Sequence, residues 1–243
     1  MAEYEARNIR NVILLGHSGS GKTSVSEHLL SEGGAIPKPG SVDEGNTVSD
    51  YNKDEIERKI SINSSVLHVI QNNVKVNIVD TPGYSDFIGE IISGLAAVEG
   101  AVIVLNGVYG IENGTSQAFK FIQNRNLPAI VFINKMDKEN ADFSKCVDAL
   151  QSKFGKKCVV VGYPIGAQAS LKGIANLLTK DGIDSLSEAE KAEAQKEAEA
   201  LVEGVAESDD ALLEKYLDKG ELSPDELKSA FRKGVTEGKV IPI

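Results

Sequence analysis

A glycine-rich segment at residues 16–23 has the residue types and spacing of a phosphate-binding loop. It reads Gly-His-Ser-Gly-Ser-Gly-Lys-Thr, which fits G-x-x-x-x-G-K-[ST], and it lies between the apolar run 12–15 and the helix-like stretch 22–30. Glycines let the backbone wrap closely around phosphates, and successive N–H groups at a helix start favour negative charge. We expect the Lys22 ammonium to bridge β- and γ-oxygens and the Thr23 hydroxyl to face Mg²⁺. The predicted phosphate-side residues are His17, Ser18, Gly19, Ser20, Gly21, Lys22, Thr23 and Ser24.

A second segment, Asp80-Thr81-Pro82-Gly83, closes an apolar strand-like run. An Asp at such a strand end can hold Mg²⁺ through a water molecule, and the Gly83 N–H can reach a γ-phosphate. By itself, D-x-x-G is often a plain turn, because Asp, Pro and Gly are common turn formers. Its position after the strand makes a metal role for Asp80 the better interpretation.

The third segment, Asn134-Lys135-Met136-Asp137, follows the apolar run 129–133 and has the pattern N-K-x-D. An ionised carboxylate accepts from two donors at once, so Asp137 can bind the ring N–H and exocyclic amine of guanine, an edge that adenine lacks. Asn134 can bridge to the base and to the phosphate loop, and the Lys135 stem can cover one face of the base. This pattern favours GTP over ATP and disfavours an ATP-using P-loop protein.

These three motifs, together with residues 57–62 (Glu-Arg-Lys-Ile-Ser-Ile) and 80–87 (Asp-Thr-Pro-Gly-Tyr-Ser-Asp-Phe), resemble elongation factor G. The similarity continues through residues 164–178, 207–217 and 232–243, so it covers nearly the whole chain. The resemblance implies a P-loop GTPase fold, a GTP/GDP ligand with Mg²⁺, and action on the ribosome through the full-length protein. It also implies metal ligation by Thr23, Ser61 and Asp80.

Two departures from the family pattern concern the chemistry. Ser61 stands where the family carries a Thr that reaches Mg²⁺, and it keeps the hydroxyl. Tyr84 stands where the family carries the His that positions the attacking water, and a phenol is neutral at pH 7. The resemblance assigns the reaction to Lys22, Gly83 and Tyr84, with slow intrinsic hydrolysis expected. Two interpretations of Tyr84 stay open: a weakened catalyst in a GTP switch that seldom hydrolyses, such as an accessory or ribosome-protection factor, or a gap-filling side chain that leaves hydrolysis to ribosomal groups.

The elements that position these motifs follow from hydrophobic patterning. Short apolar runs alternate with amphipathic stretches through the first two thirds of the chain, which predicts an α/β fold with a mixed, mainly parallel sheet. Residues 65–71 and 74–79 flank Asn72 and Asn73, so an antiparallel hairpin is expected there. Residues 33–63 show little periodicity and are predicted to be a long loop, which is either functional or disordered. In a GTP-driven switch, residues 46–63 and the turn 83–87 are expected to be the parts that respond to the nucleotide.

From residue 162 onward the composition shifts toward Ala, Glu and Lys, and strand-like runs are expected to cease. Ser187 with Glu190 and Ser223 with Glu226 have capping-box spacing, which predicts a helix start at each serine. We therefore expect a GTP-binding domain at 1–157, a mostly helical inserted subdomain at 158–234, and the start of a truncated last strand at 235–243. The subdomain is shorter than in the family, which leaves open whether its small sheet is present. The family's S-A motif, which follows that last strand and contacts guanine, is not found.

Composition limits the partners. The formal net charge is -10, and no Lys/Arg cluster supplies a local patch for nucleic acid, so sequence-specific DNA binding is not expected. No apolar run reaches the roughly 18 residues of a membrane span, so we expect a cytoplasmic protein without membrane association. The two cysteines and three histidines lack metal-ligand spacing.

Overall fold

The computed structural model describes residues 4–243. They divide into two compact units. The first contains the described residues up to Leu105 together with Glu112–Leu127, and the second contains Asn106–Ile111 and Pro128–Ile243.

The first unit is organised by a mixed sheet. Its strands are β1 (Ile9–Leu15), β2 (Ser65–Gln71), β3 (Val74–Asp80) and β4 (Gly100–Asn106), the last residue of β4 belonging to the second unit. Strand β1 pairs in parallel with both β3 and β4, and β2 pairs antiparallel with β3. This arrangement confirms the predicted α/β class with a mainly parallel sheet. The predicted hairpin is also confirmed, and Asn72 and Asn73 make its turn with φ values of 49° and 62°.

Helices cover this sheet because the central strand is apolar on both faces. Residues Ile13, Leu14 and Leu15 of β1 are at most 1% exposed. The helices of this unit are α1 (Lys22–Glu32), α2 (Lys53–Arg58), α3 (Ile88–Leu95) and α4 (Asn113–Arg125). One core cluster comprises Leu14, Leu30, Leu67, Val69 and Ile78.

The second unit combines short strands with long helices. Its elements are β5 (Ala129–Asn134), α5 (Phe143–Phe154), β6 (Cys158–Val159), β7 (Gly162–Ile165), β8 (Gly173–Asn176), α6 (Glu188–Ala206), α7 (Asp210–Lys219), α8 (Pro224–Thr236) and β9 (Ile241–Pro242). Strand β6 pairs in parallel with β9, and β7 pairs antiparallel with β8. Its core includes Val160, Ala175, Leu201, Val205 and Val240. Short 3-10 turns across both units lie at Ala6–Asn8, Ser85–Phe87, Gln168–Ser170 and Ile183–Ser185.

Both predicted helix starts are confirmed. Glu190 N–H donates to Ser187 Oγ at the start of α6, and Glu226 N–H donates to Ser223 Oγ at the start of α8. Each glutamate side chain accepts from the backbone N–H of its serine in return. The reciprocal bonds satisfy N–H groups that have no partner inside the helix.

Two expectations about secondary structure are wrong. Strands do not cease at residue 162, because β7 and β8 form a hairpin whose strands are too short to give a clear alternation signal. Residues 33–63 are not loop throughout, because they contain α2. The Glu55 side chain accepts from the backbone N–H of Asn52 at the start of α2, so the spacing of Asn52 and Glu55 could have revealed this helix.

Candidate nucleotide-binding site

The glycine-rich segment forms a tight turn between β1 and α1. Gly16, Gly19 and Gly21 adopt φ values of 148°, 75° and 95°, a range that side chains disfavour. At Gly16 a Cβ atom would also lie 2.4 Å from the carbonyl oxygen of Val104. Helix α1 then begins at Lys22, so its unpaired N–H groups face this turn. Ser20 is buried, Ser18 is half-buried, and Ser24 is exposed on the helix.

Lys22 lies beneath this turn and is only 6% exposed. Its ammonium donates to the carbonyl oxygens of Gly16 at 3.2 Å and His17 at 3.0 Å. Burial lowers the pKa of Lys22 to about 8, while the negative charges of Asp80 and Asp50 act in the opposite direction. A buried ammonium with two neutral acceptors is well placed to bind an anion.

His17 links the turn to the start of α4. Its Nδ1 atom accepts from the backbone N–H of Gly114 at 3.3 Å, and its Nε2 atom lies 3.4 Å from Glu112 Oε1. A Cβ atom on Gly114 would be 2.5 Å from the His17 Cα atom, so the two segments pack backbone to backbone. The histidine therefore helps to fix the shape of the turn.

The predicted metal ligands meet at one end of α1. The hydroxyl oxygens of Thr23 and Ser61 are 3.2 Å apart. Asp80 is 2% exposed, and neither of its carboxylate oxygens has a hydrogen-bond partner among the described residues. Burial raises the pKa of Asp80 to about 6, opposed first by the charge of Lys22 and then by the nearby hydroxyls of Thr23 and Ser49. Burying a carboxylate is costly unless donors or a cation compensate it, so this group of oxygen atoms fits a hard divalent ion such as Mg²⁺.

Asp50 adds a second buried carboxylate that the sequence analysis did not single out. It is 4% exposed, and its Oδ2 atom has no hydrogen-bond partner among residues 4–243. Burial raises its pKa, and a hydrogen bond from Ser61 acts in the opposite direction. Asp50 also raises the pKa of Lys22, which shows that the two charges interact.

Gly83 packs directly on the phosphate turn. A Cβ atom at this position would lie 2.6 Å from the backbone N atom of Ser18 and 2.7 Å from the Lys22 Nζ atom. Only glycine fits so close a contact without displacing the turn. Tyr84 follows it with a side chain that is 43% exposed, so the phenol is accessible from solvent.

Three further carboxylates hold the segment that contains Ser61. The Glu27 carboxylate on α1 accepts from the backbone N–H groups of Gly40 and Val48. The Glu55 carboxylate accepts from those of Ile62 and Asn63. Although burial opposes it, these two backbone hydrogen bonds lower the pKa of Glu55. Glu90 on α3 accepts from the N–H of Ser64 at 2.8 Å.

The predicted guanine-binding residues follow β5 in the second unit. Lys135 adopts φ 62°, and its N–H donates to Asn134 Oδ1 at 2.8 Å. The Asn134 carbonyl oxygen accepts from the backbone N–H of Gly107. Asp137 is exposed and lies 3.0 Å from Lys138, whose hydrogen bond lowers the pKa of Asp137. Its carboxylate is thus ionised and open to a ligand.

An apolar cleft of about 270 Å³ adjoins these residues. It is lined by Val131, Phe132, Ile133, Asn134, Lys135, Met136, Asp137, Phe143, Gly162, Pro164, Leu171, Ile174 and Ile243. Its mostly hydrophobic walls with a few polar groups are typical of small-molecule sites.

Two features are absent from the part of the chain that the structure describes. No helix within residues 4–243 has both the length and the apolar character needed to cross a bilayer. The same residues contain no group of three or more His, Cys, Asp and Glu side chains arranged to hold a metal alone.

Comparison with known proteins agrees with this arrangement. The family described as elongation factor Tu GTP binding domain matches residues 7–237. Elongation factor G of Mycoplasma genitalium is 35% identical over 251 residues, covering 98% of this chain and 36% of that protein. A crystal structure from Thermus thermophilus superposes with a TM-score of 0.87 at 29% identity, covering 96% of this chain and 36% of that one. The phosphate turn, the buried Asp80 and the Asn134–Asp137 segment all lie within the matched residues, and the chain therefore belongs to the family of elongation factor Tu GTP-binding domains.

Proposed function

We propose that this chain binds GTP and GDP with Mg²⁺ and hydrolyses GTP as the nucleotide-binding part of an elongation factor G-like translational GTPase. The observation that carries the proposal is the meeting of Lys22, Thr23 and Asp80 with Ser61 and Gly83 around one glycine-rich turn. Phosphate binding, metal binding and a γ-phosphate sensor are thus supported within a single unit.

The residues of the turn are assigned to the phosphates. The backbone N–H groups of residues 17–24 and the Lys22 ammonium would bind them, with the Gly83 N–H directed at the γ-phosphate. Thr23 and Ser61 would ligate Mg²⁺ through their hydroxyls, and Asp80 would hold it through water. Mg²⁺ held by these residues would supply positive charge that offsets the negative charge of the phosphates.

Selection of guanine is assigned to Asn134, Lys135 and Asp137. The support is chemical: Asp137 is exposed, its ion pair is with the adjacent Lys138, and the hydrogen bond from Lys138 lowers its pKa, so its carboxylate is ionised. A carboxylate in this state accepts the two donors on guanine and repels the ring-nitrogen acceptor of adenine.

Tyr84 is proposed to set a slow intrinsic rate of hydrolysis. Its half-exposed phenol can hydrogen-bond to a water molecule near Gly83, but it cannot act as a cationic or basic group at pH 7. The alternative remains a GTP-binding switch with weak or no hydrolysis, as in an accessory or ribosome-protection factor, and the same residue supports it.

Tyr84→His tests whether the phenol limits hydrolysis. If the phenol limits the reaction, the substitution raises GTP turnover, by about ten-fold or more, because general acid–base groups contribute roughly 10²–10⁴-fold when well placed. Phosphate release from GTP by the full-length protein, with Mg²⁺ and with or without ribosomes, measures this. Unchanged or lower stimulated turnover in the variant would show that Tyr84 is not a weakened catalyst.

The chain spans 36% of the length of its elongation factor G relative, so the wider context is also a proposal. We assign residues 1–157 to the GTP-binding domain, 158–234 to an inserted subdomain and 235–243 to the start of the last strand. The ribosome is the proposed partner of the full-length protein. We accordingly propose that the protein acts in the cytoplasm. Neither a membrane nor sequence-specific DNA is a proposed partner.

A further inference from the structure

Glu27 is a fully buried carboxylate that accepts hydrogen bonds from backbone groups of a distant segment. Its side chain is 0% exposed. One oxygen accepts from the N–H of Gly40 at 2.8 Å, and the other accepts from the N–H of Val48 at 2.7 Å. Burying a carboxylate is costly unless donors compensate it, so these two bonds determine where the segment can lie.

The position of Glu27 on α1 connects it to the nucleotide. Thr23 and Glu27 are four residues apart, which places them on the same face of the helix. Thr23 contacts Ser61, and Glu27 contacts Gly40 and Val48. The same helix that begins at the phosphate turn therefore touches the Ser61-containing segment at two separate places.

The contact between Gly40 and Glu27 leaves no room for a side chain at position 40. A Cβ atom there would lie 2.6 Å from the Asn46 carbonyl oxygen and 2.9 Å from Glu27 Oε2. The backbone at Gly40 is thus packed between the carboxylate and residues 46–47. Glu55, by contrast, lies inside the segment itself, so its hydrogen bonds can move with the segment.

We propose that Glu27 is a positioning residue that holds residues 40–63 closed on α1 and so favours GTP over GDP. The inference rests on the proposed function. A bound γ-phosphate and Mg²⁺ require Ser61 beside Thr23, which is the closed arrangement. A group that stabilises only this arrangement raises the affinity for GTP and leaves the affinity for GDP nearly unchanged.

The test is E27Q, with E32Q as its matched control. Glutamine offers a single acceptor oxygen, and its NH₂ group cannot accept, so one of the two N–H groups loses its partner. Glu32 is exposed at the end of the same helix, and E32Q removes the same charge without that loss. The measurement is the equilibrium Kd of the 243-residue chain for GDP and for a non-hydrolysable GTP analogue, both with Mg²⁺.

In E27Q the affinity for the GTP analogue should fall by about ten-fold, while the affinity for GDP changes by less than about two-fold. E32Q should match the wild type with both ligands. Equal losses for both nucleotides in E27Q would show a merely structural role and overturn the inference, as would no loss for either.

Hydrogen exchange on the wild type tests the same point without a substitution. The amides of Gly40 and Val48 should exchange more slowly with the GTP analogue than with GDP, and equal protection would overturn the inference. A wild-type chain that binds no guanine nucleotide would overturn the proposed function and this inference together. A chain that binds both nucleotides while E27Q leaves their ratio unchanged would overturn the inference alone.

Discussion

The residues assigned to the phosphates, in the first unit, and the residues assigned to guanine, in the second unit, differ in burial. On the phosphate side, Lys22 and Asp80 are 6% and 2% exposed and interact with each other. On the guanine side, Asp137 is exposed and its ion pair is with the adjacent Lys138. Contacts within the folded chain hold Lys22 and Asp80 in place, whereas Asp137 can exchange its ion pair with Lys138 for a ligand. Changes on the first side should therefore alter folding and binding together, and changes on the second should alter only which nucleotide is chosen.

The largest effect is expected from Lys22→Ala. Loss of a buried ammonium that pairs with phosphate should cost about 3–5 kcal/mol of binding free energy, which is more than about a hundred-fold in Kd, for GTP and GDP alike. Isothermal titration with Mg²⁺ measures it, and Lys120→Ala on the exposed face of α4 is the control. A variant that kept its affinity would show that the phosphates bind elsewhere.

Asp137→Asn should act on selection alone. An asparagine accepts from one guanine donor and presents its NH₂ to the other, so GTP should bind roughly a hundred-fold more weakly. A xanthine nucleotide carries a carbonyl where guanine carries its amine, so its binding should improve in the variant. Competition titrations compare the two nucleotides, and thermal unfolding should be unchanged because the side chain is exposed. A large drop in the unfolding temperature would contradict the claim that Asp137 affects nucleotide choice and not stability.

Asp80→Asn should stabilise the chain without nucleotide while it weakens Mg²⁺-dependent binding. The pKa of Asp80 in the folded chain, about 6, lies above its ordinary value of 3.8. The folded state therefore binds more protons between these values, and the stability that Asp80 removes grows as the pH rises from about 4 to about 6. At pH 7 the variant should be about 1–3 kcal/mol more stable in urea unfolding, and the difference should shrink below about pH 5. A variant less stable than the wild type at pH 7 would contradict the account of a costly buried carboxylate.

The smallest effect is expected at a residue that belongs to neither the phosphate-binding nor the guanine-binding group. Ser223→Ala removes the cap of α8 and should lower the free energy of unfolding by about 1 kcal/mol. Nucleotide affinities should stay the same, as calorimetry on folded protein would show. A change in affinity would mean that the helices of the second unit influence nucleotide binding.

Much of the fold could be predicted because its signals are local. Strands β1, β4 and β5 appear as continuous apolar runs, and each directly precedes a motif or a glycine-rich turn. The serine caps of α6 and α8 are readable from spacing alone. The hairpin strands β7 and β8 could not be predicted, because four residues each with Gly or Pro give too short a pattern.

Site residues could be predicted where a compact motif defines the chemistry. They could not be predicted where the role depends on contacts between residues that are distant in the sequence. The glycine turn and Asp137 belong to compact motifs. Glu27, Asp50 and Glu90 were missed, because their roles depend on backbone N–H groups or charges brought close only by folding. No spacing rule marks a glutamate whose partners lie 13 and 21 residues away along the chain.

The most direct test of the central claim is competition between GTP and ATP for the chain in the presence of Mg²⁺. A fluorescent GDP bound to the wild type would be displaced by each nucleotide in turn. The account predicts that GTP displaces it at least about a hundred-fold more effectively than ATP, because Asp137 accepts two donors that only guanine presents. Equal displacement by the two nucleotides, or none by GTP, would contradict it.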